Sequence, residues 1–335
     1  MHGWIILDKP LGLGSTQGVS AVKRALRDAG FGPKMRDLPK VGHGGTLDPL
    51  ATGVLPIAVG EATKLAGRML DSDKIYEFTI RFGVQTDTLD LEGKEIAASD
   101  VRPTLAQVEA VLPRFTGPIE QVPPAYSALK VDGARAYDLA RAGEEVVLAR
   151  RPVTIHALSQ SSPGGGGGPR SGGGGSQQAD RPGQAPSVAL RAPPPRAGED
   201  CLDEITLTAH VSKGTYIRSL ARDIALALGT VGHVTMLRRT KAGPFTLESA
   251  ISLDKLADAA KARTLEQLLL PLRAGLDDIP ALSLTPDQAG LLRQGRVLEG
   301  AHAEDGQYFA LLGEVPVALV EVQAGEIRVV RGFNL

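Results

Sequence analysis

"GHGGTLDPLATGVLPIAVGEATKL", Gly42 to Leu65, carries a single aspartate in a nearly uncharged run. His43 stands five residues before Asp48, Pro49 follows it at once, and from Leu50 the run is apolar like a buried strand. A carboxylate so placed can ligate a metal, pair with a cation, cap a turn, act as acid or base, or attack as a nucleophile. No second carboxylate or histidine stands at ligand spacing, which argues against a metal. Turn capping needs no further partner, because Asp before Pro is common in turns. The local sequence leaves capping and chemistry both open.

Around this run the chain alternates strand-like and helix-like segments. "KIYEFTIRFG" places Tyr76, Phe78, Ile80 and Phe82 on one face of a strand. "TLAQVEAVLPRF" reads as a helix with Thr104 as N-cap. "TYIRSLARDIALALG" carries Ile217, Leu220, Ala221, Ile224 and Leu228 on one stripe and ends at Gly229, which puts Arg218 and Arg222 one turn apart on a shared face. Of the 42 residues from Ser159 to Asp200, 18 are Gly or Pro, so this segment is expected to be a disordered insert, 159–200. "RPVTIHAL" before it and "DEITLTAHVSKG" after it both alternate, so the insert is expected to be the tip between two neighbours in one sheet. Past Leu272, a short helix in "TPDQAGLLRQGRVL" and three glycine-separated strands suggest a compact β-rich appendage, 272–335, behind a main domain of 1–271.

The 335 residues are 42% hydrophobic, which supports a proper core, while one cysteine, Cys201, excludes a disulfide framework within the chain and points to a reducing compartment. No basic leader and no apolar stretch of about 20 residues is present, so the expectation is a cytoplasmic protein with no membrane association. The net charge of −1 hides an uneven distribution. Ser212–Lys241 holds six basic residues against Asp223 alone, and a second basic stretch runs from Lys23 to Lys40. These two stretches could follow a phosphate backbone or be ordinary solvated helix faces.

"VGHGGTLDPLATGVLPIAVGEATKL" resembles the signature motif of the bacterial TruB family of tRNA pseudouridine synthases. In the family's order, "ILDKPLGLGST" is similar to its opening lysine–proline strand and turn. "VPPAYSALKVDGARAYDLARAGEEV" is similar to its central block, "VSKGTYIRSLARDIALALG" to its basic helix and "GHVTMLRRTKAGPFTLESAI" to the last strand of its catalytic domain. Gly44 and Gly14 depart from the family's more usual Thr and Ser or Thr, which bears on loop stiffness. The resemblance implies an α+β fold, a largely antiparallel mixed sheet flanked by helices, with a small C-terminal PUA-like β-barrel for RNA binding.

It further implies isomerisation of a tRNA T-loop uridine, at tRNA position 55, to pseudouridine, with no cofactor and no metal. Asp48 would act at the ribose C1′, by covalent attack or by assisting elimination. A carboxylate working where water is excluded needs a fixed cation, and Arg218 matches the family's arginine. Tyr76 would stack on the uracil and could take its departing proton, though a tyrosine on an apolar face is often plain core. Tyr216 and Leu237 match positions lining the uracil pocket. His43 would insert into the gap left when the nucleotide is flipped out, or bind the displaced backbone. Lys213, Arg222, Arg238 and Arg239 would hold backbone phosphates. The expected partner is the T arm and elbow of tRNA, with no obligate protein partner and a monomeric chain. Two other readings remain: a guide-RNA-dependent synthase, whose partner-docking extensions this sequence lacks, and an RNA-binding or tRNA-folding module with incidental catalysis.

Overall fold

A computed structural model describes residues 1–32, 34–127, 129–131, 133–144, 146, 148–161, 201–300 and 303–335. Its principal strands are β1 (Gly3–Lys9), β2 (Val41–His43), β3 (Ala51–Val59), β4 (Lys74–Phe82), β5 (Gly117–Gln121), β6 (Arg151–Gln160), β7 (Glu204–Val211) and β8 (Gly232–Ala242). Four more follow, β9 (Ala281–Ser283), β10 (Gly306–Leu312), β11 (Val315–Gln323) and β12 (Glu326–Gly332). The principal helices are α1 (Ser15–Asp28), α2 (Leu105–Val111), α3 (Ile217–Ala227), α4 (Leu253–Ala262) and α5 (Pro286–Arg293). The fold is α+β, and the chain divides into two compact units, Met1–Tyr76 with Leu237–Leu335, and Glu77–Met236.

In the first unit β3 is the central strand. It runs antiparallel to β1, with Lys9 opposite Gly53 and Leu7 opposite Leu55, and parallel to β8, with Leu237 opposite Ala51 and Arg239 opposite Gly53. Alternate residues of β1 and β3 face two different cores, which is why "ATGVLPIAV" is apolar almost throughout rather than alternating. Ile5, Leu7, Leu55, Ile57 and Val59 pack with Val22 and Leu26 of α1 and Leu256 and Ala260 of α4. Trp4, Ile6, Val54 and Ala58 pack with Met69, Phe245, Leu272 and Leu276, and with Phe309, Leu319 and Phe333 from the C-terminal strands. The Trp4 indole also donates to the Leu272 carbonyl at 3.2 Å.

The C-terminal strands pair in the order β9-β10-β11-β12, with β9 parallel to β10 and the others antiparallel. They have a core of their own beneath α5, which Thr285 and Gln288 begin with reciprocal hydrogen bonds. Leu298 adds an antiparallel bridge to Ile327 of β12; the barrel closure expected here is not seen among the described residues. The three glycine-separated strands and the helix of the sequence reading are all present.

The second unit orders its strands β4-β7-β6-β5. β6 and β7 are antiparallel neighbours, as expected of the two flanks of the insert, and Gln160 lies opposite Leu207. Ser159 and Gln160, placed in the insert by composition, belong to β6, and residues 162–200 lie outside the described part. Ile205, Leu207, Ala209 and Val211 are buried on one face of β7. The Thr104 hydroxyl accepts from the Gln107 amide and the Gln107 side chain accepts from the Thr104 amide, so α2 begins where its capping signal places it.

Gly53, like Gly3, leaves no room for a side chain against a neighbouring carbonyl. Its φ of +101° lies where side chains are rarely tolerated, and a methyl there would overlap the Arg239 carbonyl. Gly53→Ala is therefore expected to lower unfolding free energy by at least about 2 kcal/mol in denaturant titration, whereas Gly42→Ala should change it by under about 0.5 kcal/mol. Position 42 has open space around its Cβ direction.

Candidate active site

The loop between β2 and β3, residues 44–50, carries Asp48, half-buried. It is fixed along its length. The Gly44 amide donates to the Pro56 carbonyl at 2.8 Å, and a side chain at position 44 would press Met69 Cβ at 2.6 Å, so a larger residue has no room there. Leu47 is buried and is held from both sides by Ser15, whose Oγ accepts from the Leu47 amide at 2.8 Å and donates to its carbonyl at 3.0 Å. The Ala51 amide closes the turn on the Asp48 carbonyl at 3.0 Å. The Pro49 carbonyl accepts from the Gly12 amide at 2.9 Å and from Lys9 Nζ at 3.2 Å.

Lys9 is completely buried, and its ammonium also donates to the Leu13 carbonyl at 2.6 Å and the Pro10 carbonyl at 3.1 Å. Burial pulls its pKa down from 10.5 to about 8, partly offset by the Asp48 charge and assisted by that of Arg239. Arg239 is 1% exposed. It donates from Nε to the Val54 carbonyl at 2.8 Å, from Nη1 to Thr46 at 3.1 Å and from Nη2 to Gly45 at 3.2 Å. The phosphate contact expected of Arg239 is not seen here: the side chain is enclosed, and three of its donors go to the loop carbonyls of Gly45 and Thr46 and to Val54 of β3. Arg238, pointing to the opposite side of β8, grips Asp8 with both Nη atoms at 3.0 and 2.8 Å.

His43 ends β2 opposite Ile57, half-buried, with its Nδ1 enclosed and without a hydrogen-bond partner among the described residues. Burial first and the Arg239 charge second lower its pKa from 6.5, so the ring is neutral at neutral pH. Tyr76, on β4, and Leu237, opposite Ala51, are also half-buried in this unit.

In the second unit, α3 binds the segment after β5. Arg218, 8% exposed, donates from Nη1 to the Thr88 carbonyl at 2.9 Å and to Asp90 Oδ2 at 3.2 Å, and from Nη2 to the Tyr126 carbonyl at 3.1 Å. Asp90 is fixed in turn by the Thr88 hydroxyl at 2.5 Å and the Glu92 amide at 3.1 Å. Arg222 donates to the Val122 carbonyl at 3.1 Å and to Asp223 at 2.8 Å, so it too is largely engaged within the protein. Tyr216 precedes α3, half-buried, its amide donating to Gln121 Oε1 at 2.8 Å, and Lys213 is exposed on the turn before it.

The model of the TruB family pseudouridylate synthase N-terminal domain matches residues 33–163, and that of the tRNA pseudouridylate synthase B C-terminal domain matches residues 218–277. The chain is 62% identical over 335 residues to the tRNA pseudouridine synthase B of Novosphingobium aromaticivorans, covering 100% of this chain and 98% of that one. The chain belongs to the TruB family. It is 55% identical over 336 residues to the tRNA pseudouridine synthase B of Zymomonas mobilis, covering 100% and 96% of the two chains. Among solved structures it resembles an H/ACA RNP bound to a substrate RNA containing 2′-deoxyuridine, with TM-score 0.66, 21% identity, and coverage of 99% and 85%. It also resembles a Cbf5–Nop10–Gar1 complex, with TM-score 0.66, 23% identity, and coverage of 99% and 84%. These two likenesses establish the fold.

Within this TruB-family chain, three residues that sequence reasoning did not single out hold the Asp48 loop or an expected site residue: Lys9 and Ser15 hold the loop, and Asp90 holds Arg218. Lys9 had a signal, the "DKP" of the opening motif, but a lone lysine in sequence reads as exposed. Asp90 had none, since its partner lies 128 positions away. The depressed Lys9 pKa has a stability consequence. Above pH about 8 the folded chain releases this proton while the unfolded chain holds it to about 10.5, so unfolding takes up a proton and stability rises with pH across that window. Comparing denaturant unfolding at both pH values, the wild type should gain on the order of 3 kcal/mol more than Lys9→Met.

Proposed function

We propose that this TruB-family chain isomerises the uridine at position 55 of the tRNA T loop to pseudouridine, and that Asp48 is the catalytic carboxylate. The observation that carries the reading is Asp48 itself, half-buried on a loop anchored at Gly44, Leu47, Pro49 and Ala51. Such anchoring gives a carboxylate a fixed position, which is what a reaction at one sugar carbon demands. The relatives that match end to end bear the name tRNA pseudouridine synthase B.

In the reaction the C1′–N1 bond breaks, the uracil turns over, and C5 bonds to C1′. C5 gives up its proton and N1 gains one, so the product is an isomer and no co-reactant is consumed. Asp48 supplies its carboxylate to the C1′ side, Arg218 is the guanidinium proposed to serve it, and Tyr76 is proposed to stack on the uracil. Tyr216 and Leu237 are proposed as pocket walls. A neutral, planar His43 suits insertion among bases after the nucleotide is flipped out, a step costing a few kcal/mol.

Phosphate binding is proposed for Lys213, with Arg222 and Arg238 contributing only after giving up part of their present hydrogen bonding. We further propose that residues 1–271 are the catalytic part and 272–335 an RNA-binding part, and that the chain works as a cytoplasmic monomer without a protein partner. No helix among the described residues is long and apolar enough to cross a membrane.

The decisive assay incubates the chain with an unmodified tRNA transcript in EDTA and maps pseudouridine. Product should form at position 55 alone; product elsewhere only, or none, refutes the proposal. Asp48→Asn should fold and bind tRNA within about twofold of wild type while forming no product, as expected for loss of the reacting group. His43→Ala should weaken tRNA binding more than it slows the single-turnover rate, and the reverse order would assign His43 to the chemistry.

A further inference from the structure

Arg239 is a buried cation that forms no ion pair among the described residues. Taking a guanidinium out of water costs several kcal/mol, and a neutral residue could bridge carbonyls at less cost. Its placement follows a pattern. Gly53 lies opposite Lys9 on one side and Arg239 on the other, so the two buried cations flank one residue that lacks a side chain. Both reach the Asp48 loop from the strands beneath it. Arg239 holds Gly45 and Thr46, just before Asp48, and Val54 after it, while Lys9 holds Pro49, the next residue. The Arg239 charge is also close enough to depress the pKa values of both Lys9 and His43. The loop's backbone path is therefore set before Asp48 by the Arg239 fork, which ties Gly45 and Thr46 to Val54 of β3, and after it by Lys9 at Pro49; tying three carbonyls at once suits donors fixed in a plane.

We propose that Arg239 is a positioning residue for Asp48: its guanidinium, fixed by the Gly45, Thr46 and Val54 carbonyls, sets where that carboxylate stands, and it takes no part in binding RNA. This rests on Asp48 being the catalytic carboxylate. Lys at this position keeps the charge and the aliphatic stem but cannot span three carbonyls, and Gln keeps polarity without charge.

The test uses the full chain and an unmodified tRNA transcript, with Arg239→Lys, Arg239→Gln and Asp48→Asn compared by dissociation constant, single-turnover rate and thermal melting. At a temperature well below each melting point, Arg239→Gln should lose on the order of 10²-fold in rate and Arg239→Lys about tenfold, because displacement of a reacting group by about 1 Å costs that much. Dissociation constants should stay within about twofold and the salt dependence of binding unchanged. A phosphate contact would instead weaken binding and reduce the salt slope by about one. Unchanged rates, or a rate loss matched by lost binding, overturn the proposal. If Arg239→Gln fails to fold, Arg239→Lys decides; failure of the Lys variant also to fold makes Arg239 purely structural and overturns it. Activity in Asp48→Asn would sink the assignment of Asp48 itself, a result separate from any of these.

Discussion

The register Lys9–Gly53–Arg239 constrains everything around it in the first unit. A residue with a side chain at position 53 would collide with the Arg239 carbonyl, so β8 can come this close to β3 at Arg239 only because position 53 is a glycine. That close approach lets an arginine on β8 reach beneath a loop leaving β2, and lets a lysine at the end of β1 reach the same loop from the other side. Two cations without water are a standing cost, and the cost is offset by hydrogen bonds: six carbonyls accept from these two side chains. The loop is rigid because its carbonyls are already committed. A half-buried carboxylate at its turn inherits that rigidity.

The second unit solves a similar problem with a helix. Arg218, Ser219 and Arg222 leave α3 toward the segment after β5, and the Val122 and Tyr126 carbonyls accept from them. Arg218 takes Asp90 as its ion-pair partner there, at 3.2 Å with both groups nearly enclosed. Both units thus spend basic side chains on irregular backbone, the part of a chain whose polar groups no helix or sheet satisfies. A basic stretch in the sequence is for this reason an unsafe measure of how much positive surface remains for a phosphate backbone.

Much of the fold was legible because it is written in local patterns. The alternation in "EITLTAHV" reports one buried face of β7, and Thr104 with Gln107 marks the start of α2. The stripe of Ile217, Leu220, Ala221 and Ile224 reports the buried side of α3, and the matching textures on either side of the glycine-rich segment identify β6 and β7 as neighbours. The insert's beginning was misplaced by two residues because polar Ser159 and Gln160 extend an edge of the ladder that composition assigns to a loop. The strands and turns of the C-terminal segment were legible. That Phe309, Leu319 and Phe333 pack into the same core as Trp4 was not, since no local pattern says which distant face an apolar residue meets.

The sequence by itself determined the family, the element types and the presence of Asp48 in a stiff turn, because motif order, periodicity and turn chemistry are properties of neighbours along the chain. Only the tertiary structure decided what each basic residue does. Arg238 and Arg239 are adjacent and identical in kind, yet consecutive side chains of a strand leave on opposite faces. One face meets Asp8, partly in water; the other meets three carbonyls, with none. Which face is which depends on β3 lying beside β8 and on the loop folding back over Gly53, contacts between segments nearly 200 residues apart in the chain.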